Sequence, residues 1–376
     1  MWTVLLAQVA VAPSAPPAEE TPTVLQRLAQ RVDVYGRFDG HLAVTRDDAR
    51  VANNSSRLGV KAEQDVAGGL SVIAQGEWRI SVGKGDTTYN VTENPDTGLG
   101  QLQTASSPAL TTRLGYVGLR HPEYGSLTLG KQWGVYYDVS LWTDQFVVFG
   151  AHGSSTYNAG TDGGQTGEGR ANDAIAYRVG HGPVKLGVQA QFIPERSPVL
   201  DSLSGSLVVA LGAGLKVGVA YSRAFLELGS NVVGYGGGDA QAFTAGISFE
   251  ASGWKLAALD TWTRDHEFVT SNGVTVAYDT LGAELFLSRS FRDLLMLYGG
   301  FDFAIPRHLD AEFVDPDYST RDVLGGARWL FDAKAGSFAY LEARTGRTRD
   351  TAGVRADDAV MLGIRFNYSL RKALGM

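Results

Sequence analysis

Arg37, Asp39 and His41 stand two residues apart. On a β-strand, side chains at i and i+2 share a face, so a cation, a carboxylate and an imidazole would point the same way. These are parts of a hydrolytic site, a base with groups that orient it. The nucleophile is lacking: no motif places a Ser beside the three, and the chain has no G-x-S-x-G elbow. The 6 His are scattered and no H-E-x-x-H occurs. With no Cys, thiolate metal sites and disulfides are both excluded. Gly234-Tyr235-Gly236-Gly237-Gly238 is glycine-rich but lies between strand-like runs, with no helix to receive a phosphate. Asp310, Glu312, Asp315 and Asp317 could gather a divalent cation, although a solvated acidic loop accounts for them better. No enzyme, cofactor or metal centre is expected.

The composition narrows the class further. The chain has 376 residues, 44% of them hydrophobic, and a formal net charge of −7 with no basic run, which excludes a nucleic-acid partner. Glycine is abundant, at 47 residues, and suits turns and close-packed strands better than helices. No apolar stretch reaches the roughly 18 residues of a spanning helix, so a membrane protein built from this chain must be a closed barrel. Trp2 to Ala12 is apolar and ends in Ala10-Val11-Ala12, an export-signal pattern without the basic start. The expected division is a signal peptide over 1–12, a short periplasmic segment over 13–30, a barrel over 31–368 and a C-terminal extension over 369–376. Within the second piece, Thr21 to Gln30 suits one short amphipathic helix.

From Arg31 onward apolar and polar residues alternate. Val184, Leu186, Val188, Ala190 and Phe192 make one face of a strand; Lys185, Gly187, Gln189 and Gln191 make the other. Sixteen such runs follow one another, separated alternately by tight turns such as Ala213-Gly214 and by long polar loops such as 84–110. A strand of about 10 residues, tilted about 45°, spans roughly the 25 Å apolar band of a membrane barrel. A soluble sandwich also alternates, but does not need sixteen amphipathic strands with asymmetric loops. The expectation is an all-β, 16-stranded antiparallel transmembrane barrel. At that size the lumen is an aqueous channel, and the inward positions read as charged, Gly or small polar throughout.

Several local sequences resemble the general diffusion porins of Gram-negative outer membranes. They are Val32-Asp33-Val34-Tyr35-Gly36-Arg37, Ser56-Arg57-Leu58-Gly59-Val60-Lys61, Thr112-Arg113-Leu114-Gly115-Tyr116-Val117-Gly118-Leu119 and Gly125-Ser126-Leu127-Thr128-Leu129-Gly130 followed by Trp133-Gly134-Val135-Tyr136-Tyr137-Asp138. Gly169-Arg170 and Ala176-Tyr177-Arg178 complete a resemblance that is dense over 31–195.

The resemblance implies an outer-membrane channel through which small hydrophilic solutes and ions diffuse. It also implies a homotrimer in contact with membrane lipid and lipopolysaccharide, and a third loop folded inward to narrow the pore. Carried over by position, the wall of that constriction is Arg37, Arg57, Arg113 and Arg170. Parity supports the assignment, each Arg standing one residue out of step with an apolar neighbour, Leu58 beside Arg57 and Leu114 beside Arg113. The loop contributes Asp144, while Val148 stands where a second carboxylate is usual, which weakens any cation preference. Asp39, Lys61, Glu77, Arg79, Asp162 and Glu168 are candidates for additional lumen charge. A channel selective for an anion or a sugar is the alternative within the same architecture.

Overall fold

The sixteen alternating runs form sixteen barrel strands in a computed structural model of the chain. It describes residues 29–375 apart from 82–85, 90–101, 106–107, 151, 157–165, 193–199, 227–231, 234–237, 272–273 and 310–313. The strands are β1 (Val32–Val44), β2 (Arg57–Asp65), β3 (Ser71–Ile80), β4 (Leu110–His121), β5 (Gly125–Trp133), β6 (Arg170–His181), β7 (Val184–Gln191) and β8 (Ser202–Gly212). They continue as β9 (Leu215–Leu226), β10 (Gly238–Ala251), β11 (Trp254–Arg264), β12 (Val274–Phe291), β13 (Leu295–Arg307), β14 (Thr320–Asp332), β15 (Ser337–Gly346) and β16 (Ala359–Ser369). Each pairs antiparallel with its successor, and β16 returns to β1 from Tyr35↔Ser369 to Val44↔Val360, so the sheet closes. Closure satisfies every ladder hydrogen bond without an edge, the condition for crossing hydrocarbon with strands.

The alternation read from the sequence is the alternation of the wall. On β7, Leu186 and Val188 lie outward, 49% and 55% exposed, while Gln189 and Gln191 face in at 3% and 0%. One rim carries tight turns, among them Ala213-Gly214 with both residues at positive φ, the geometry that matches strand twist in a two-residue hairpin. The other rim carries the long loops, and short strands such as Ala49–Asn53 and Glu267–Ser271 lengthen β1 and β12 there. The expected signal segment, nearly all of the 13–30 segment, the glycine-rich loop before Gly238, and Asp162, Asp310 and Glu312 lie outside the described residues, as does most of 84–110.

The described residues of loop 3, the 134–169 connection between β5 and β6, turn into the barrel. Near the start of the loop lies the short helix α1 (Tyr137–Ser140). Here the expectation of a uniformly charged or small inner wall fails. The inward positions of β12 to β16 include Phe286, Tyr298, Leu324, Phe338, Tyr340 and Met361, which are buried with Val147 and Phe149 of the loop. On the opposite side Tyr136, Val139 and Trp142 pack on Ala220, Ala242, Ala257 and Leu259. Burying an aromatic or large aliphatic side chain is worth about 1.5–3 kcal/mol, so the loop is seated by its own small cores. Wall glycines make room: a Cβ on Gly218 would stand 2.8 Å from the Trp142 ring, and one on Gly282 would stand 2.0 Å from the Gly153 carbonyl.

The chain end is tied in rather than projecting. β16 continues to Ser369, one residue past the expected end, and α2 (Leu370–Ala373) follows. Ser369 Oγ donates to Asp33 at 2.9 Å, and Arg371 Nε donates to the Ala29 carbonyl at 2.6 Å, joining the segments on either side of the barrel seam.

Candidate functional site

Three buried carboxylates on the wall hold loop 3 by its backbone. Glu342 on β15 accepts the N–H groups of Val147, Val148 and Phe149 at 2.6, 2.7 and 3.0 Å, and the Tyr298 hydroxyl at 2.8 Å. Asp302 on β13 accepts from His152 N and Gly153 N at 3.1 and 2.7 Å and meets His152 Nδ1 at 2.8 Å. Glu284 on β12 accepts from Ser154 N at 2.7 Å and from the Thr143 hydroxyl. N–H groups that leave water need acceptor partners of this kind. Sequence reasoning missed all three acids. Their only signal is a lone carboxylate at an inward position of a strand whose outward neighbours are apolar.

The segment so fixed faces a cavity of about 480 Å³. Arg37, Arg57, Arg113, Arg170, Asp144 and Val148, the six residues singled out in the sequence, all line it. Arg113 Nε donates to Glu77 Oε1 and its Nη1 to Ser55 Oγ, both at 2.9 Å. Arg57 approaches the same Glu77 oxygen at 3.6 Å, and the Tyr35 hydroxyl donates to Glu77 Oε2 at 2.9 Å. Arg37 Nε donates to Asn367 Oδ1 at 3.2 Å. Arg170 lies over the Trp133 ring, 5.4 Å from its centroid. From the loop, the Asp144 carboxylate accepts the Tyr137 hydroxyl at 2.5 Å. Val148 is partly buried against the aromatic wall.

Arg113 reaches the lumen for a reason other than the one expected. Leu114, assigned to the outer face, is 3% exposed and lines the lumen, whereas Val117 and Leu119 face out. The β3–β4 register steps from Glu77↔Leu114 to Trp78↔Thr112, leaving Arg113 as the extra residue of a β-bulge. A bulge locally re-aims a side chain, and this one turns Arg113 inward.

Two arginines that sequence reasoning missed complete the lining, Arg328 on β14 and Arg365 on β16. Arg365 Nε donates to Asp39 Oδ2 at 2.6 Å, and the Tyr340 hydroxyl donates to Asp39 Oδ1 at 2.9 Å. Asp39 is thus buried, 2% exposed, behind the arginines. It is engaged by Arg365 and Tyr340, and no hydrolytic set forms with Arg37 and His41. Arg328 Nη2 donates to the Gln145 carbonyl, and its guanidinium lies over Tyr298 and Phe338 at 4.7 and 5.2 Å.

The remaining candidates lie elsewhere. Lys61 sits over the Tyr35 ring at 4.9 Å and lines a second cavity of about 740 Å³ on the short-turn side. Arg79 is the ladder partner of Arg57. Glu168 does not line the cavity of about 480 Å³: it is buried in the returning leg of loop 3, 3.4 Å from His266 Nε2. Burial opposes charge on both groups. The neighbouring His266 outweighs it for Glu168, whose carboxyl stays below its usual range. Glu168, with Glu267 bonded at 2.9 Å to His266 Nδ1, outweighs it for His266, which is pushed up to about 10. Among the described residues no cluster of three metal-ligating side chains occurs, and Asp315 is occupied by the Asp317 N–H at 2.8 Å.

Comparison with known proteins gives the same architecture. A family model described as Gram-negative porin matches residues 3–375. Outer membrane porin C of Enterobacter cloacae is 25% identical, covering 93% of this chain and 95% of its own length. Outer membrane protein S2 of Salmonella typhi is 26% identical, covering 97% and 99%. Among solved structures, Salmonella typhi OmpF in complex with daunomycin aligns with a TM-score of 0.72 at 19% identity, over 90% of this chain and 97% of that one. An anion-selective porin from Comamonas acidovorans aligns at 0.64 and 17%, over 90% and 99%.

Proposed function

The chain belongs to the Gram-negative porin family and to the bacterial outer membrane, and from that premise we propose a passive diffusion channel whose constriction favours anions. Small hydrophilic solutes and ions pass between loop 3 and the wall arginines, and Arg37, Arg57, Arg113, Arg170, Arg328 and Arg365 set the field they cross. The observation that carries this reading is the charge of one cavity: six guanidiniums and, among its described lining residues, the single carboxylate of Asp144. Glu77 and Asp39 stand behind the lining and offset three of the arginines in part. A positive excess remains. The Debye length is about 8 Å at physiological salt, comparable to the half-width of such a passage, so the wall is felt across it. A low-dielectric wall focuses that field and raises the local concentration of the opposite ion. Polar solutes align in it, and apolar or larger ones are disfavoured by ordered water and by the seated loop.

A homotrimer in contact with lipid and lipopolysaccharide belongs to the same proposal; one structural relative, OmpT of Vibrio cholerae, is described in a trimer form. The deciding experiment is the reversal potential of the purified protein in a planar bilayer under a KCl gradient, where an anion-favouring sign is expected and a cation-favouring one overturns the reading.

A further inference from the structure

Among the described residues, Arg37 and Arg328 of the constriction have no carboxylate partner. Arg37 meets only the neutral Asn367 amide. Arg328 meets the Gln145 carbonyl and two aromatic rings, and its Nε is buried without a hydrogen-bond partner. Arg57 and Arg113, by contrast, share Glu77, and Arg365 has Asp39. A guanidinium keeps its charge in any protein environment, and holding one away from bulk water without a counter-charge is costly unless an anion is supplied. The two forks stand on β1 and β14, with β16 and β15 between them, so their strands are roughly 14 Å apart along the wall at three strand spacings. Stacking on Tyr298 and Phe338 pre-orders the Arg328 fork, which lowers what a ligand must spend in ordering it.

We infer that the constriction is a saturable binding site for organic anions with two or more negative charges, such as short dicarboxylates, whose two ends Arg37 and Arg328 hold. This rests on the anion-favouring reading and goes beyond it: a filter passes anions in proportion to their concentration, whereas a site fills. Each carboxylate end matches a guanidinium fork through two parallel N–H···O bonds. A cavity of about 480 Å³ is of the size that encloses a small organic molecule. A monocarboxylate engages one fork only.

The test is the chloride current of single channels of the full chain in planar bilayers, with succinate or acetate added at equal charge concentration. Succinate is expected to reduce the current to a plateau, and acetate to change it without saturation. R37Q and R328Q should each raise the half-blocking succinate concentration at least tenfold, and R328K, which keeps charge without the fork, should fall between. Heat-modifiable gel mobility verifies that each variant is an assembled barrel, and R37Q guards against an R328Q effect that arises from releasing Gln145. If succinate acts as acetate does, or both variants block as the parent does, the site does not exist. An anion-selective reversal potential in the same membranes would then leave the filter standing, whereas a cation-selective one would remove both.

Discussion

Glu342 accepts the backbone N–H of Val148 at 2.7 Å, so the loop position that lacks a carboxylate is itself held by a carboxylate from the wall. Glu342 is 0% exposed and is satisfied by three N–H groups and the Tyr298 hydroxyl. It anchors the loop without adding accessible negative charge to the passage, and Val148, partly buried against the aromatic wall, contributes a neutral side chain to the lining.

Val148→Glu should therefore shift the reversal potential toward cations. Two unit charges 4 Å apart interact by about 1 kcal/mol in water and about 4 kcal/mol at an effective dielectric of 20, so a severalfold fall in the anion-to-cation permeability ratio is expected. Asp144→Asn should shift it the opposite way. Unchanged potentials in both variants would place the selectivity elsewhere.

Glu342→Gln should loosen loop 3. The amide retains one acceptor oxygen for three loop N–H groups and the Tyr298 hydroxyl, and a bond to a charged group contributes about 1.5–3 kcal/mol. The expected outcome is a lower thermal midpoint together with larger, noisier single-channel conductance. A stable variant with parental conductance would mean that the aromatic seat alone holds the loop.

His266 gives the loop a pH dependence with a definite sign. Its folded-state value, about 10, lies above the ordinary value of about 6.5. The stability it contributes is present in full below about pH 6.5, declines above that, and is lost as pH rises through about 10. Glu168 is held below its usual range, so its share survives mild acid and is lost only as pH falls through that lowered value. The difference in thermal midpoint between parent and H266Q should shrink steadily from neutral pH and vanish above pH 10. A difference independent of pH would contradict the ion-pair account.

Truncation after Tyr368 should leave a closed barrel of reduced heat resistance. It removes one of the seam pairs between β1 and β16 and the Ser369 and Arg371 bonds to Asp33 and Ala29. A barrel as heat-resistant as the parent would make the tail dispensable, and failure to assemble would make it essential.

Most of the barrel was legible in the residue order because the side-chain period of a strand is two and the two faces meet different solvents. The arginines of β1, β2, β4 and β6 were legible through short motifs. Parity failed at Arg113, where a single extra residue reverses the face of everything beyond it, as Leu114 against Val117 makes plain. Arg328 and Arg365 went unread because their roles depend on which strands close the barrel beside β1, a long-range fact. Glu284, Asp302 and Glu342 went unread because their partners are loop N–H groups 130 to 195 residues away. The aromatic wall of β12 to β16 was mistaken for an aqueous lining because alternation reports that two faces differ and not what each one meets. There the inner face meets loop 3.

The most direct measurement of the central claim is the zero-current potential across a planar bilayer holding the parent protein and, separately, R37Q, R57Q and R328Q under one KCl gradient. The anion-favouring constriction predicts a parent potential of the sign set by chloride, reduced in magnitude by each substitution as positive wall charge is removed. A parent potential of the sign set by potassium, or one that none of the three substitutions moves, would contradict it.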